Sequence, residues 1–307
     1  MAAIRFEKWQ ALGNDYLILE RDTLPFGLTP ARVRALCAGH FGVFADGVLL
    51  LSPPADPAHV ADLRIFNPDG SEAELSGNGA REAILYLRRR GWTDRDSFAI
   101  ETAAGPIRPQ ITGIDTCTVD MGRASLCSRD FPGGPEDGRG EVESAGRRWS
   151  FRHVSIGNPQ CAIHVVSEDE LAALDLHAIG PAIEGDAQFP HRTNVSWYTE
   201  LPDSARGGSS PGRIRARIFE RGVGETLSSG TGATGAAIAH VLARREAHGE
   251  APTAPAAGRA RVSVLLDGGE LEVEVREDLN VKLTGWARPV FTGQLSEDFE
   301  KELHETE

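Results

Sequence analysis

Arg64-Ile65-Phe66-Asn67-Pro68-Asp69-Gly70-Ser71-Glu72-Ala73-Glu74-Leu75-Ser76-Gly77-Asn78-Gly79-Ala80 returns later in the chain as Arg217-Ile218-Phe219-Glu220-Arg221-Gly222-Val223-Gly224-Glu225-Thr226-Leu227-Ser228-Ser229-Gly230-Thr231-Gly232-Ala233. One offset of 153 residues relates the two stretches, so Phe66 answers Phe219 and Ser76 answers Ser229. Each reads as a strand, a glycine-rich loop and the start of a helix. Two related halves, each presenting one hydroxyl beside a Gly-x-Gly loop, predict an active site built across a pseudo-two-fold axis. That layout suits chemistry on both faces of one carbon.

The repeat extends outward from these loops. Alternating residues at 4–9 and 16–19 flank Ala11-Leu12-Gly13-Asn14-Asp15, which reads as a turn between two strands. In the second half, Val154-Ser155-Ile156-Gly157-Asn158-Pro159-Gln160 leads into a Gly-Asn turn of the same kind, and residues 161–166 lead out of it. Helical periodicity covers 30–40, 80–90 and 231–245, and arginines followed by Gly91 suit the end of the second of these. Residues 101–122 and 261–275 read as β-hairpins. Few helices and many short strands predict a mixed α+β protein. The domain boundaries expected are 1–125 with 284–307, and 126–283. Residues 129–145 and 202–212 read as a linker and an insertion, and the acidic run 297–307 as a solvated helical or frayed tail.

Composition narrows the function. A chain of 307 residues with 40% hydrophobic residues has material for two cores. Its net charge of −13 opposes a nucleic-acid partner, which is held by phosphate contacts to cations. No apolar run approaches the ~20 residues of a membrane span, and the N-terminus has no signal-peptide pattern, so the expected location is the cytoplasm. Cys37, Cys117, Cys127 and Cys161 lack metal-type spacing and read mostly as reduced, buried residues. The nine histidines are equally scattered, so no metal site is expected.

Two literal motifs carry little weight. Gly230-Thr231-Gly232-Ala233-Thr234-Gly235 spells a dinucleotide fingerprint, but no βαβ unit surrounds it and the first-half loop lacks the third glycine. Gly208-Ser209-Ser210-Pro211-Gly212 spells a nucleophile elbow, yet proline follows the serine where a helix should begin. The duplicated loop remains. A glycine-rich turn feeding a helix start offers unpaired N–H groups and the positive end of a dipole, a natural seat for a carboxylate or phosphate. A carboxylate gripped by both loops puts its α-carbon between Ser76 and Ser229, and the same dipoles stabilise the charge left when an α-proton departs.

With these segments the chain resembles diaminopimelate epimerase. The resemblance rests on Ala11-Leu12-Gly13-Asn14-Asp15, Phe66-Asn67-Pro68-Asp69-Gly70-Ser71-Glu72, Ser76-Gly77-Asn78-Gly79-Ala80-Arg81, Gly157-Asn158-Pro159 and Glu220-Arg221-Gly222-Val223-Gly224-Glu225-Thr226, in order from the first strand to about Gly293. It implies two pseudo-symmetric α+β domains, each a β-barrel-like sheet around a central helix, with substrate in the cleft between them. It also implies interconversion of LL- and meso-diaminopimelate in lysine and peptidoglycan-precursor biosynthesis, with no cofactor, a small amino-acid substrate and a possible homodimer. Asn67, Asn158, Asn194 and Arg221 are implied to hold the distal amino-acid end and Asn14 to line the site, while Gly77, Asn78, Gly230 and Thr231 belong to the loops.

The chain departs from the family at the reacting groups. The family uses one cysteine per loop as acid and base, whereas here both positions are serine. Gln160 stands in place of a histidine that helps activate a thiol, and Gly47 stands where a glutamine is frequent. A thiol of pKa near ~8.5 ionises under local charge, but a serine hydroxyl needs an adjacent base. Glu220 matches the family's glutamate near the reactive centre. The expected catalytic set is therefore Ser76, Ser229 and Glu220. Two other readings keep the fold: an isomerase or dehydratase for another, hydroxylated amino acid, and an amino-acid-binding paralogue without catalysis.

Overall fold

The predicted alternation at the N-terminus becomes β1 (Arg5–Ala11) and β2 (Asn14–Glu20), antiparallel and joined through Leu12 and Gly13, both at positive φ. The computed structural model describes residues 3–202, 212–247, 249 and 259–306. Its chain forms two compact units, Met1–Val119 with Gly285–Glu307, and Asp120–Thr284. After β2 come α1 (Pro30–Cys37), β3 (Val48–Ser52), β4 (Asp62–Phe66) and the short β5 (Glu72–Ala73). Then follow α2 (Gly77–Arg89), β6 (Gln110–Ile111) and β7 (Thr116–Arg123), the strand that carries the chain out of the first unit.

In this unit α2 packs on β1, β2 and β3 and is buried from Asn78 to Leu87. A helix buried on every side is the centre of its domain, and Ala80, Ala83, Ile84 and Leu87 supply the apolar surface. It begins three residues before the periodicity predicts, because Ser76 caps it. It ends where Gly91, at φ 76°, lets Trp92 N–H bond back to Leu87 O at 3.0 Å.

The second unit contains β8 (Arg139–Ser144), β9 (Arg147–Ser155), β10 (Pro159–His164), α3 (Glu168–Ala173), α4 (Leu176–Glu184) and β11 (Asn194–Glu200). It continues with β12 (Gly212–Glu220), β13 (Gly224–Thr226), α5 (Gly230–Ala247), β14 (Ala260–Leu266), β15 (Gly269–Val275) and β16 (Asn280–Trp286). Its sheet runs β16-β15-β14-β12-β11-β10-β9-β8, with β13 paired to β12. The second central helix, α5, packs on β9 to β12 and on β14 and β15. Close approach is possible because Gly232 and Gly235 face the sheet: a Cβ on them would lie 2.7 Å from Ile218 Cδ1 and 2.8 Å from Gln160 Cβ. These glycines of the apparent dinucleotide fingerprint serve helix packing. A further core of Trp149, Trp197, Phe151, Ile163, Leu176 and Phe219 fills the space under α3 and α4. Burying each large apolar chain contributes about 1.5–3 kcal/mol.

The chain returns to the first unit as β17 (Arg288–Gln294), antiparallel to β1, and ends in α6 (Glu297–Glu305). The structure corrects two expectations. The stretch 129–145 is not wholly a linker, because β8 lies within it and aligns Val142 with Trp149 of β9. The acidic tail is not simply solvated: Leu303 is buried in the first unit's core beside Val33 and Leu36, and Arg32 Nε donates to Leu303 O at 2.7 Å. Apart from its ends, the 202–212 insertion lies outside the described residues, as does most of the elbow-like match within it. Among the described residues, no helix is long and apolar enough to cross a membrane.

Candidate active site

In the first unit, Ser76 ends the loop that β4 and β5 lead into. Its backbone is extended (φ −126°, ψ 123°), and its Oγ accepts the Gly79 N–H at 3.1 Å, closing the first turn of α2. A second donor reaches the same oxygen: the Tyr16 hydroxyl, at 3.3 Å. Around it runs a fixed chain of polar side chains. Asn14 Nδ2 donates to Asp46 Oδ2 (2.8 Å), Asn78 Nδ2 donates to Asn14 Oδ1 (3.2 Å), and Arg81 Nη2 donates to Asn78 Oδ1 (2.6 Å). Arg81 is fully buried and also donates to Gly77 O at 2.9 Å, so a cation sits under the loop and fixes both amides. Asn67 stands apart, with its amide on Ser71 Oγ at 3.0 Å in the turn before β5.

Beneath this loop Glu82 is wholly buried, and desolvation pushes its carboxyl well above the usual range, with Asp15 and Asp46 adding to the shift and Arg81 opposing it. Burial also pushes the Cys37 and Cys117 thiols up to about 12. These thiols stay protonated, so they offer no thiolate to the loop.

In the second unit, Ser229 is buried just before α5. Its hydroxyl donates to Glu220 Oε2 at 2.9 Å and accepts the Gly232 N–H at 3.3 Å. Glu220 closes β12, and its other oxygen accepts Thr226 Oγ1 from β13 at 2.8 Å. The carboxylate is thus aimed at the serine by the hairpin itself. The turn between these strands uses Gly222 and Gly224 at φ 77° and 105°, a region that glycine alone enters at no steric cost. Gly222 N–H is held by Glu184 Oε1 at 2.7 Å.

Asn158 donates to Thr231 Oγ1 (3.2 Å) and accepts Gln160 Nε2 (2.7 Å). Asn194 is buried, with its amide on Pro159 O (3.1 Å) and its oxygen on Arg221 N–H (2.8 Å). It therefore braces Asn158's turn and Arg221's turn together. The exposed Arg221 guanidinium touches His191 O at 2.8 Å.

The structure thus joins Asn14, Ser76, Gly77 and Asn78 in one cluster. It joins Glu220, Ser229, Gly230, Thr231 and Asn158 in another, with Asn194 and Arg221 alongside. Within their own units, Asn14 bonds Asn78 as Asn158 bonds Thr231, and Asn78 and Thr231 stand at the 153-residue offset. Four residues escaped the sequence reading: Tyr16, Asp46, Arg81 and Thr226. Tyr16 was legible in principle, since it follows Gly13-Asn14-Asp15 as Gln160 follows Gly157-Asn158-Pro159. Gly47 has its own explanation: a Cβ there would lie 2.3 Å from Phe66 O and 2.6 Å from Tyr16 Cε1.

Comparison with known proteins gives the family. The family model for diaminopimelate epimerase matches residues 6–127 and 152–289. A diaminopimelate epimerase of Synechococcus sp. (strain JA-3-3Ab) is 37% identical over 302 residues, covering 96% of this chain and 99% of the relative. One from Thioalkalivibrio sulfidiphilus is 37% identical over 304 residues, with 95% and 99% covered. Among solved structures, a phenazine biosynthesis protein of the PhzF family from Bacillus anthracis superposes with a TM-score of 0.66 at 18% identity, covering 96% of this chain and all of that one. A probable proline racemase from Agrobacterium radiobacter does so at 0.64 and 16%, with 96% and 93% covered. These last two share the fold, a mixed α+β architecture with a central helix in each unit. The chain belongs to the diaminopimelate epimerase family.

Proposed function

We propose that this chain is a cofactor-independent amino-acid epimerase that interconverts LL- and meso-diaminopimelate by two-base transfer of the α-proton, a step of lysine and peptidoglycan-precursor biosynthesis. The observation that carries the reading, beside family membership, is the Ser229 hydroxyl donating to Glu220. An unassisted serine is too weak an acid and too poorly ionised to serve as a base. With a carboxylate at 2.9 Å, Ser229 Oγ takes the α-hydrogen while its own hydrogen passes to Glu220. Electron density then moves onto the substrate carboxylate. N–H groups at the helix starts, around Gly77 and Gly230, stabilise that charge. Ser76 supplies a hydrogen to the opposite face of the α-carbon, which completes inversion.

The remaining side chains divide by chemistry. Asn14, Asn78 and Thr231 belong with the loops and orient the reacting carboxylate and amine. Arg221 takes the distal carboxylate as a charged donor, with Asn158, Asn194 and Asn67 fixing that end. In this reading the enzyme works in the cytoplasm as a homodimer, the commonest oligomer, on a small amino acid alone. Sedimentation at micromolar concentration checks the assembly.

The test is direct. Purified protein is incubated with LL-diaminopimelate and the isomers are separated by chiral chromatography, with Ser229→Ala in parallel. Formation of meso product that Ser229→Ala abolishes supports the reading. A keto-acid product instead shows an eliminating enzyme, and binding without conversion shows a binding paralogue.

A further inference from the structure

We infer that Tyr16 is the positioning residue for Ser76, fixing this serine as a proton donor. The inference rests on the epimerase reading above and specifies how its second hydroxyl works. Both hydrogen bonds at Ser76 Oγ are received, from Gly79 N–H at 3.1 Å and from the Tyr16 hydroxyl at 3.3 Å. The serine's own hydrogen is therefore directed away from both donors. At Ser229 the hydrogen is instead committed to Glu220.

Position by position, the carboxylate is missing on the Ser76 side. The residue 153 before Glu220 is Asn67, and its amide is spent on Ser71. A phenol takes the contact in its place. Three features hold it there. Tyr16 is 6% exposed and lies in β2, opposite Trp9 of β1. The next residue, Leu17, bonds Gly47 O at 3.0 Å, which fixes the strand against the start of β3. Gly47 leaves the space that the ring fills, since a Cβ there would stand 2.6 Å from Cε1. The hydrogen bond at 3.3 Å is long, as catalytic contacts are before substrate closes them.

During reprotonation the Ser76 O–H bond breaks, and its hydrogen forms the new C–H bond with the electron pair on the α-carbon. The alkoxide on Oγ takes the phenolic hydrogen of Tyr16. The phenolate takes a proton from water, and the proton stored on Glu220 returns to solvent, so no net charge accumulates. In the opposite direction each transfer reverses. A serine alkoxide needs this second donor because it is a far stronger base than a thiolate. A cysteine at position 76 does not.

That difference supplies the experiment. Tyr16→Phe is compared with the unaltered protein, and the same change is made in Ser76→Cys, with kcat and KM measured for LL- and meso-diaminopimelate and folding checked by thermal melting. With serine at 76, Tyr16→Phe lowers kcat by about 100-fold, the low end of general acid–base effects, while KM moves less than about threefold. With cysteine at 76 the same change costs less than about fivefold. An equal loss in both backgrounds marks Tyr16 as structural and overturns the inference, as does a Tyr16→Phe enzyme as fast as the unaltered one. Activity that appears only after cysteine is installed at 76 also overturns it, because Tyr16 then fails to make the serine competent. If neither the unaltered protein nor the doubly substituted Ser76→Cys/Ser229→Cys protein converts either isomer, the epimerase reading itself fails and the inference falls with it.

Discussion

Ser76 and Ser229 stand at equivalent places in two copies of one motif, yet their hydrogen bonds run in opposite senses. Ser229 gives its hydrogen to Glu220, whereas Ser76 receives one from Tyr16. The surrounding scaffold is shared: a Gly-Asn turn, an amide reaching the second residue of a helix, and a serine oxygen closing the first helical turn. Two differences lie at these contacts: in the alignment of the halves Asn67 stands where the second has Glu220, and Tyr16 where it has Gln160. In the proposed mechanism this difference in contacts separates the base, Ser229, from the acid, Ser76. Two carboxylic or hydroxylic groups set apart by environment are the usual way one site performs both proton removal and proton delivery.

The largest effect expected from breaking this comparison is at Glu220. Glu220→Gln keeps the shape and the Thr226 contact but removes the proton acceptor, and kcat should fall by about 100- to 10,000-fold, with KM nearly constant. Asn67→Ala, its counterpart, should act chiefly on KM. Equal losses of kcat at the two positions would show that the halves are not differentiated in this way.

A smaller effect is expected at Arg221, whose counterpart at the 153-residue offset is Pro68, so the guanidinium proposed to take the distal carboxylate has no equivalent in the first half. Arg221→Ala should raise KM for diaminopimelate roughly 10- to 100-fold, corresponding to the ~1.5–3 kcal/mol of a charged hydrogen bond. Steady-state kinetics checks this, and an unchanged KM removes Arg221 from the site.

The smallest effect concerns stability. Glu82 is buried where the other half has Gly235, and its carboxyl is pushed well above 4.5 by desolvation. A group raised in the folded state favours folding while it stays protonated, and that contribution is lost as pH rises from the unfolded value through the folded one. Glu82→Gln, permanently neutral, should therefore melt higher than the unaltered protein at pH 8, and the gain should shrink toward pH 4.5. Melting curves across that range decide it; a constant difference would mean that Glu82 does not titrate between the states.

Much of this arrangement was legible in the residues. The repeat announced itself because loops that hold a helix start need glycine and a capping hydroxyl at set places, and those requirements survive in sequence. Glu220 was legible as a carboxylate beside that loop. Tyr16 was legible only by aligning the two Gly-Asn turns, since an aromatic residue in an alternating strand otherwise reads as core; its hydroxyl is placed by the contact to Ser76. Arg81 and Glu82 were hidden for a related reason: charges inside a helix pattern read as its solvent face, but α2 has no solvent face. β8 was missed because its local composition misleads. The run around Gly138 and Gly140 looks like a loop, and the register of Val142 against Trp149 is set by a partner strand.

The central claim is that two different hydroxyls handle the α-hydrogen. It is tested most directly by incubating the protein with LL-diaminopimelate in heavy water, stopping at early conversion, and reading deuterium at the α-carbon of substrate and product by mass spectrometry. Two-base transfer with Ser229 as acceptor and Ser76 as donor predicts meso product that carries one solvent deuterium beside recovered LL isomer that keeps its hydrogen. Meso product that retains the original hydrogen would mean that one group both removes and returns it, and the account of the two loops would be wrong.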